Sequence, residues 1–391
     1  MVAAVRQGQS LRVVARRFHV SLRTVQVWVA RAHGQRLDRV DWSDRPRGGR
    51  RARTATAAHV EDLIVRLRQQ LKKSSPLGEY GAAAIWRELH KRQIKPMPSL
   101  RTIGRILRRR GVLDGQRRVR RPPPPKGWYL PQVADAQAEL DSFDFVEGLV
   151  IRGGIDVMVL NTVSLHGCLC GSWVRSSWTA KTTVVTLISY WRKYGLPGYA
   201  PFDNDTIFQG AHQWPDSFGR VMRLCLQLGV IPVFTPPRET GFQAAIENYN
   251  GRWQAKVWQR FQHDKLAILA GHSDRFVAAV LQRSAPRRDC APLRAPFPTD
   301  WELDLQRPLQ GTVVFLRRTN EQGEAELLGR RYLVDPLWSH RLIRAEVDLS
   351  AGQIRFYRLR RSEPKQQPLI KSIPYKPPSK AFHELLLLTV T

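Results

Sequence analysis

The order of periodic segments between residues 136 and 262 constrains the fold more than any other feature. The stretch "AELDSFDFVEGLVIRGGIDVMVLNTVSLHGCLCGSWV" alternates apolar with small or polar residues. It predicts strands over Glu139 to Val146, Val157 to Ser164 and Cys168 to Val174, with a Gly-containing turn after the first. The period then changes. "AKTTVVTLISYWRKYG" predicts a helix begun by Thr182 or Thr183 and ended by Gly195, with Val184, Leu187, Ile188 and Trp191 facing inward. "LPGYAPFDND" reads as a strand running into acids, "SFGRVMRLCLQLG" as a helix, "VIPVFTPP" as a short buried strand and "GFQAAIENYNGRWQAKVWQRF" as a long helix. The order β-β-β-α-β-α-β-α implies three antiparallel strands followed by crossovers into a mixed five-stranded sheet.

Acids stand out in this chain because it is so basic. Lys and Arg number 63 against 33 Asp and Glu, a formal net charge of +30. That balance points to a polyanionic partner, nucleic acid before an anionic membrane. A content of 42% apolar residues with 12 Trp excludes a disordered polycation. No apolar run approaches the roughly 18 residues of a spanning helix. The opening "MVAAVRQGQSLRVVARRF" is broken by charge within a few residues and does not read as a secretory signal. Cys168 and Cys170 are the only neighbouring cysteines among four, the others being Cys225 and Cys290. With no second Cys or His pair, they read as reduced packing thiols rather than zinc ligands.

Carboxylates recur at three points of the sheet pattern. Asp141 and Asp144 lie in the first strand, Asp203 and Asp205 follow the fourth, and Glu247 rides the long helix. In an open α/β sheet, ligands bind at loops leaving the carboxyl ends of strands. Carboxylates converging there repel unless a cation lies between them. Oxygen-only ligands suit Mg²⁺ or Mn²⁺, and a two-metal site for in-line phosphoryl transfer needs such a set. The first acid is either Asp141 or Asp144. Asp205 reads as a helix cap or turn residue. Glu239 is the weaker choice for the third acid, Glu147 and Asp156 read as solvated, and His166 and His212 as structural.

The first third reads as two DNA-binding helical units. In "SLRVVARRFHVSLRTVQVWVARAHG", Leu11, Val14, Ala15 and Phe18 have helical spacing, "HVS" interrupts, and Ser21 caps a second helix with Val25, Trp28 and Val29 inside. Arg23, Thr24 and Gln26 are left near its start, where a helix-turn-helix meets base edges. In "GAAAIWRELHKRQIKPMPSLRTIGRILRRRG", Ile85, Trp86 and Leu89 make one stripe and Ile103, Ile106 and Leu107 another, leaving Arg101, Thr102 and Arg105 outward. The expected organisation is a first helix-turn-helix over 1–34, an Arg/Gly linker over 35–54, a second such unit over 55–121 and a Pro-rich linker over 122–135. A core over 136–285 and a linker over 286–306 follow. Short strands with turn signals at Asn320, Gly323, Gly329 and Gly352 predict a small β-barrel over 307–375, before a tail over 376–391.

Residues 136–262 resemble the ribonuclease-H-like core of DDE transposases and retroviral-type integrases. "FDNDTIF" is similar to the family's second-acid motif, which matches Asp203 to the second catalytic carboxylate and puts Asp205 where the family has Gly. "PPRETGFQAAIENYNGRW" is similar to the motif that carries the third acid, matching Glu247. "ELDSFDF" offers both Asp141 and Asp144 for the first. Glu247 follows Asp203 at more than the name-giving spacing. The helical units resemble those of bacterial insertion-sequence transposases, and the C-terminal strands an SH3-like module. The resemblance implies a multidomain α/β enzyme, dependent on Mg²⁺ or Mn²⁺, that binds inverted-repeat transposon ends, frees a 3′ hydroxyl and joins it to target DNA. It implies a dimer or larger assembly on double-stranded DNA, no membrane partner, and a cytoplasmic, nucleoid-associated location. Asn250, Arg252, Gln254 and Lys256 continue along the third-acid helix, and the exposed ones should touch DNA. The rival readings are a catalytically silent relative acting as repressor or architectural protein, and a structure-specific nuclease.

Overall fold

The computed structural model describes residues 1–44, 56–113, 126–211, 214–239, 241–376 and 382. The Arg/Gly stretch at 45–54, the prolines at 122–125, His212 and most of the tail after 376 lie outside these residues. The chain divides into two compact units, Met1–Ala57 and Ala58–Thr391.

In the first unit, α1 (Val2–Arg6), α2 (Leu11–Arg17) and α3 (Leu22–Ala32) pack around Val14, Ala15 and Val25. The second unit opens with α4 (Ala58–Ser74), α5 (Ala82–Lys91) and α6 (Leu100–Arg109), packed around Ile64, Leu67, Ile85, Leu89, Ile103, Ile106 and Leu107. The turns after α2 and α5 close alike. His19 and Gln93 take left-handed φ of 52° and 53°. Val20 N–H then bonds Ala15 O at 3.0 Å, and Ile94 N–H bonds Leu89 O at 3.2 Å. Helices α3 and α6 also start alike, on Ser-Leu-Arg-Thr at Ser21 and Ser99. In each, the Ser hydroxyl accepts the Thr amide, at 3.1 Å for Thr24 and 3.2 Å for Thr102. Both threonine hydroxyls also meet their serine, so Thr24 and Thr102 belong to the caps. Arg23, Gln26, Arg101 and Arg105 are exposed.

The short α7 (Pro131–Ala134) leads into the antiparallel strands β1 (Asp141–Ile151), β2 (Ile155–Ser164) and β3 (Cys170–Arg175). Then come α8 (Ala180–Tyr194), β4 (Tyr199–Phe202), α9 (Thr206–Gln209), α10 (Arg220–Gln227) and β5 (Ile231–Phe234). Strands β4 and β5 are parallel, and a parallel bridge between Leu140 and Tyr199 joins β4 to the start of β1. Helix α8 begins earlier than the sequence suggests, because Thr179 and Thr182 cap each other's backbone amides. The long helix α11 (Ala244–Trp253) gives way to a π-helical turn over Gln254–Trp258, and α12 (Leu266–Arg288) follows.

The C-terminal strands differ from the expected separate barrel. They are β6 (Thr312–Arg318), β7 (Glu324–Leu327), β8 (Arg330–Leu333), β9 (Leu342–Asp348), β10 (Gln353–Arg358) and β11 (Leu369–Pro374). Strand β6 pairs in parallel with β5, Val233 against Val314 and Phe234 against Phe315, giving a six-stranded order β11-β10-β9-β6-β5-β4. The reason lies in β6 itself. Val313, Val314, Phe315 and Leu316 are all buried, the continuous run of a strand covered on both faces. One apolar cluster accordingly runs from Phe143 and Trp191 through Phe202 and Phe234 to Phe315 and Phe356. Among the described residues, no helix is long and apolar enough to cross a membrane.

Candidate active site

Strand β1 sends the two first-acid candidates to different surroundings. Asp141 and Asp144 are an odd number of residues apart, so their side chains leave opposite faces of the strand. Asp141 points into the core under α8. It is fully buried, and Arg294 clamps it with Nη1 to Oδ1 at 2.9 Å and Nη2 to Oδ2 at 2.5 Å. Trp191 Nε1 donates to Oδ2 at 3.2 Å. Burial drives this carboxyl upward and the Arg294 fork drives it back. The net shift is upward, burial outweighing the two charge-assisted bonds of the Arg294 fork. Asp141 is thus held in a buried pair with Arg294.

Asp144 lies on the α11 side. Its Oδ2 accepts Asn250 Nδ2 at 2.7 Å, and Asn250 Oδ1 accepts Asn161 Nδ2 at 2.8 Å. Asn161 is the cross-strand partner of Asp144 in the β1–β2 register, so two strands and α11 fix one carboxylate. Asn250 is buried and holds Asp144, a different place from the DNA-facing one expected of it. Asp203 follows the last residue of β4, and Glu247 is exposed one turn before Asn250 on α11. The three acids share a field. The Asp144 carboxyl is pushed up to about 7, by burial first, then by the Asp203 charge, with Glu247 adding to it; the Phe145 amide and Asn250 oppose the rise.

The loop after β4 is stitched down residue by residue. Asp203 Oδ1 accepts the Asp205 amide at 3.1 Å, and Asp205 Oδ1 accepts the Ile207 amide at 2.7 Å, capping α9. Asn204 Nδ2 donates to Thr235 O at 2.8 Å, and its Oδ1 accepts Arg317 Nη2 at 2.8 Å. Other sequence candidates are placed elsewhere. Glu239 pairs with Arg318, with Nε at 2.6 Å. His166 Nε2 meets Val133 O at 3.0 Å in a turn that the buried Glu139 carboxylate pins through the amides of Leu140, His166 and Gly167. Glu147 and Asp156 are exposed. Arg252 is exposed, 6.0 Å over the Phe276 ring. Lys256 is half-buried, its side chain against Gly78, beside Arg260, whose Nη2 caps α4 through Lys73 O at 2.9 Å.

Reasoning from sequence missed Asn161, Arg294 and Arg317. Asn161 does carry a signal, as a polar residue inside the apolar run "VMVLNTVS". The two arginines carry none among so many.

No family model matches the chain. No curated protein matches it. Among solved structures it is similar to the catalytic core domain of BIV integrase, at 15% identity and a TM-score of 0.26 over 37% of this chain and 81% of that one. It is similar to the simian T-cell lymphotropic virus intasome in complex with PP2A regulatory subunit B56 gamma, at 12% identity and 0.31, over 79% and 99%. A third is the HTLV-2 integrase catalytic core domain in complex with magnesium, at 10% and 0.25, over 35% and 82%. Superpositions this loose carry no argument about function, which rests here on the geometry of the site.

The donor chemistry fits a divalent cation. Asp144, Asp203 and Glu247 offer only oxygen, and their mutual repulsion is what a hard cation relieves. Yet among the described residues, no three His, Cys, Asp or Glu side chains are gathered tightly enough to hold a metal. The raised Asp144 carboxyl has a consequence without metal. Protonated Asp144 stabilises the fold fully below its ordinary range near 3.8, and that contribution is lost as pH rises through about 7. Asp144→Asn should therefore melt higher than wild type by roughly 2–6 °C at about pH 8 in chelator, and the two should converge at acid pH. Added Mg²⁺ should narrow the gap by stabilising wild type alone. Melting curves across pH, with and without metal, check this.

Proposed function

We propose that the chain is a DDE-type polynucleotidyl transferase, a DNA transposase or integrase. The observation that supports it best is that Asp144, Asp203 and Glu247 share one electrostatic site beside the carboxyl end of β4 in a mixed sheet. Asp144 and Asp203 are the inner pair for a divalent cation, and Glu247 the third acid. Bound there, Mg²⁺ or Mn²⁺ supplies charge neutralisation at the scissile phosphate and activation of the attacking oxygen. The chain's own residues do the rest. Asn250, backed by Asn161, aims the Asp144 carboxylate, and the stitched loop from Asp203 to Ile207 holds the second.

In this reading the exposed Arg252 meets DNA phosphate near the site, and Lys256, against Gly78, is the lesser contributor. In this reading the two helical units, whose α3 and α6 present Arg23 and Gln26 and then Arg101 and Arg105, are helix-turn-helix readers of inverted-repeat ends. Two ends must be processed together, so the working form is a dimer or larger assembly on DNA. The absence of a tight three-acid group among the described residues favours one rival, a catalytically silent DNA-binding relative.

Labelled DNA from the ends flanking the coding region, incubated with protein and Mg²⁺ or Mn²⁺, separates them. Metal-dependent joined products are expected. Specific binding with no cleavage under either metal would establish the silent relative.

A further inference from the structure

Arg317 is a buried cation whose hydrogen bonds among the described residues go to backbone carbonyls and the Asn204 amide oxygen, and it lies at the seam between the C-terminal strands and the loop that carries Asp203. It stands near the end of β6, past the point where β5 stops pairing. There its guanidinium turns across the end of β5. Nη1 donates to Phe234 O at 3.3 Å, Thr235 O at 3.1 Å and Leu316 O at 2.9 Å, and Nε to Glu326 O at 3.1 Å. Nη2 donates to Asn204 Oδ1 at 2.8 Å. Asn204 closes the ring by donating to Thr235 O at 2.8 Å. Burial depresses the guanidinium to about 10, with Glu326 opposing, so it stays charged at neutral pH. A lysine has the charge but not the planar fork that reaches several acceptors at once.

Burying a cation against carbonyls alone is costly, and apolar replacement is often no less stable. Stability alone is therefore a poor reason for arginine at this seam. We propose that Arg317 is a positioning residue for Asp203. It locks Asn204, the next residue, to the end of β5, so that the Asp203 carboxylate is presented to Asp144 at a fixed depth. The C-terminal sheet thereby becomes part of the active-site apparatus rather than an appended DNA-binding module. The inference deepens the proposed function and rests on Asp203 being one of the site acids.

The test uses the full chain carrying Arg317→Lys, Arg317→Met or Asn204→Ala, with Arg344→Met as a control for loss of a buried arginine from the same sheet. Amide hydrogen exchange in metal-free protein is read over 199–211 and over β1, β2 and α11. The three variants should speed exchange across 203–207 by about tenfold or more while β1, β2 and α11 stay protected. Arg344→Met should leave 203–207 unchanged. In strand transfer, kcat should fall with DNA affinity held within about twofold, and Lys should not rescue. Uniform acceleration across the sheet would assign Arg317 a purely structural role. So would wild-type exchange at 203–207 with wild-type kcat. Should wild type itself prove inactive, selective exchange at 203–207 would still uphold the positioning of Asp203 and fail only the catalytic reading.

Discussion

Asp203→Asn should lower metal-dependent joining of DNA ends by at least about 10³-fold, with DNA affinity within about a factor of two of wild type. The substitution is conservative where the fold needs it. The remaining side-chain oxygen still accepts the Asp205 amide, so the cap of α9 and the contact between Asn204 and Thr235 persist. What disappears is the negative charge nearest in effect to Asp144, and with it half of the inner acid pair. The same change should bring the Asp144 carboxyl down towards its ordinary range, since Asp203 is the main charge that raises it. Gel-resolved joining assays in Mg²⁺ and Mn²⁺, beside binding curves on the same DNA, check both halves. Joining at a tenth of the wild-type rate or better would remove Asp203 from the site.

Arg294→Met should destabilise the chain by roughly 3–5 kcal/mol, because it leaves Asp141 charged in the core with a lone indole donor. Removing both partners should be far milder. Asp141→Leu with Arg294→Met should recover most of the loss, because it removes the uncompensated carboxylate along with its partner. The double variant also separates the two first-acid candidates by function. A structural Asp141 predicts joining activity within a few-fold of wild type in the double variant, whereas a catalytic one predicts none. Urea unfolding of the three proteins, followed by joining assays on those that fold, gives both answers. Activity lost in the double variant at wild-type stability would return Asp141 to the reaction.

Much of the strand and helix order was legible from residue 139 to residue 253, because alternation of period two and stripes of period three to four are local properties. The caps at Ser21 and Ser99 were legible for the same reason: hydroxyl and amide are three residues apart. Asp203 and Glu247 could be singled out because acids at strand ends and on the following helix are conspicuous in so basic a chain. What the residues of "ELDSFDF" could not say is which face of β1 meets the other acids. Their spacing sends Asp141 and Asp144 to opposite sides, and only the packing of α8 on one side and α11 on the other labels those sides.

The C-terminal strands show the same division. Their short lengths and Gly-marked turns fit a small barrel or an extended sheet equally well, since strand propensity does not name a pairing partner. The alignment of Phe234 with Phe315 does, and it brings Arg317 to Asn204 across more than a hundred residues of chain. Arg294 reaches Asp141 over a still longer separation. The sequence by itself determined the local elements, the polyanion-directed charge and the identity of the candidate acids, all set by near neighbours and composition. Tertiary structure alone decided which acid is paired with Arg294 in the core, which faces Asn250 on α11, and which distant arginine reaches Asn204. Those outcomes depend on burial and on partners that chain order does not specify.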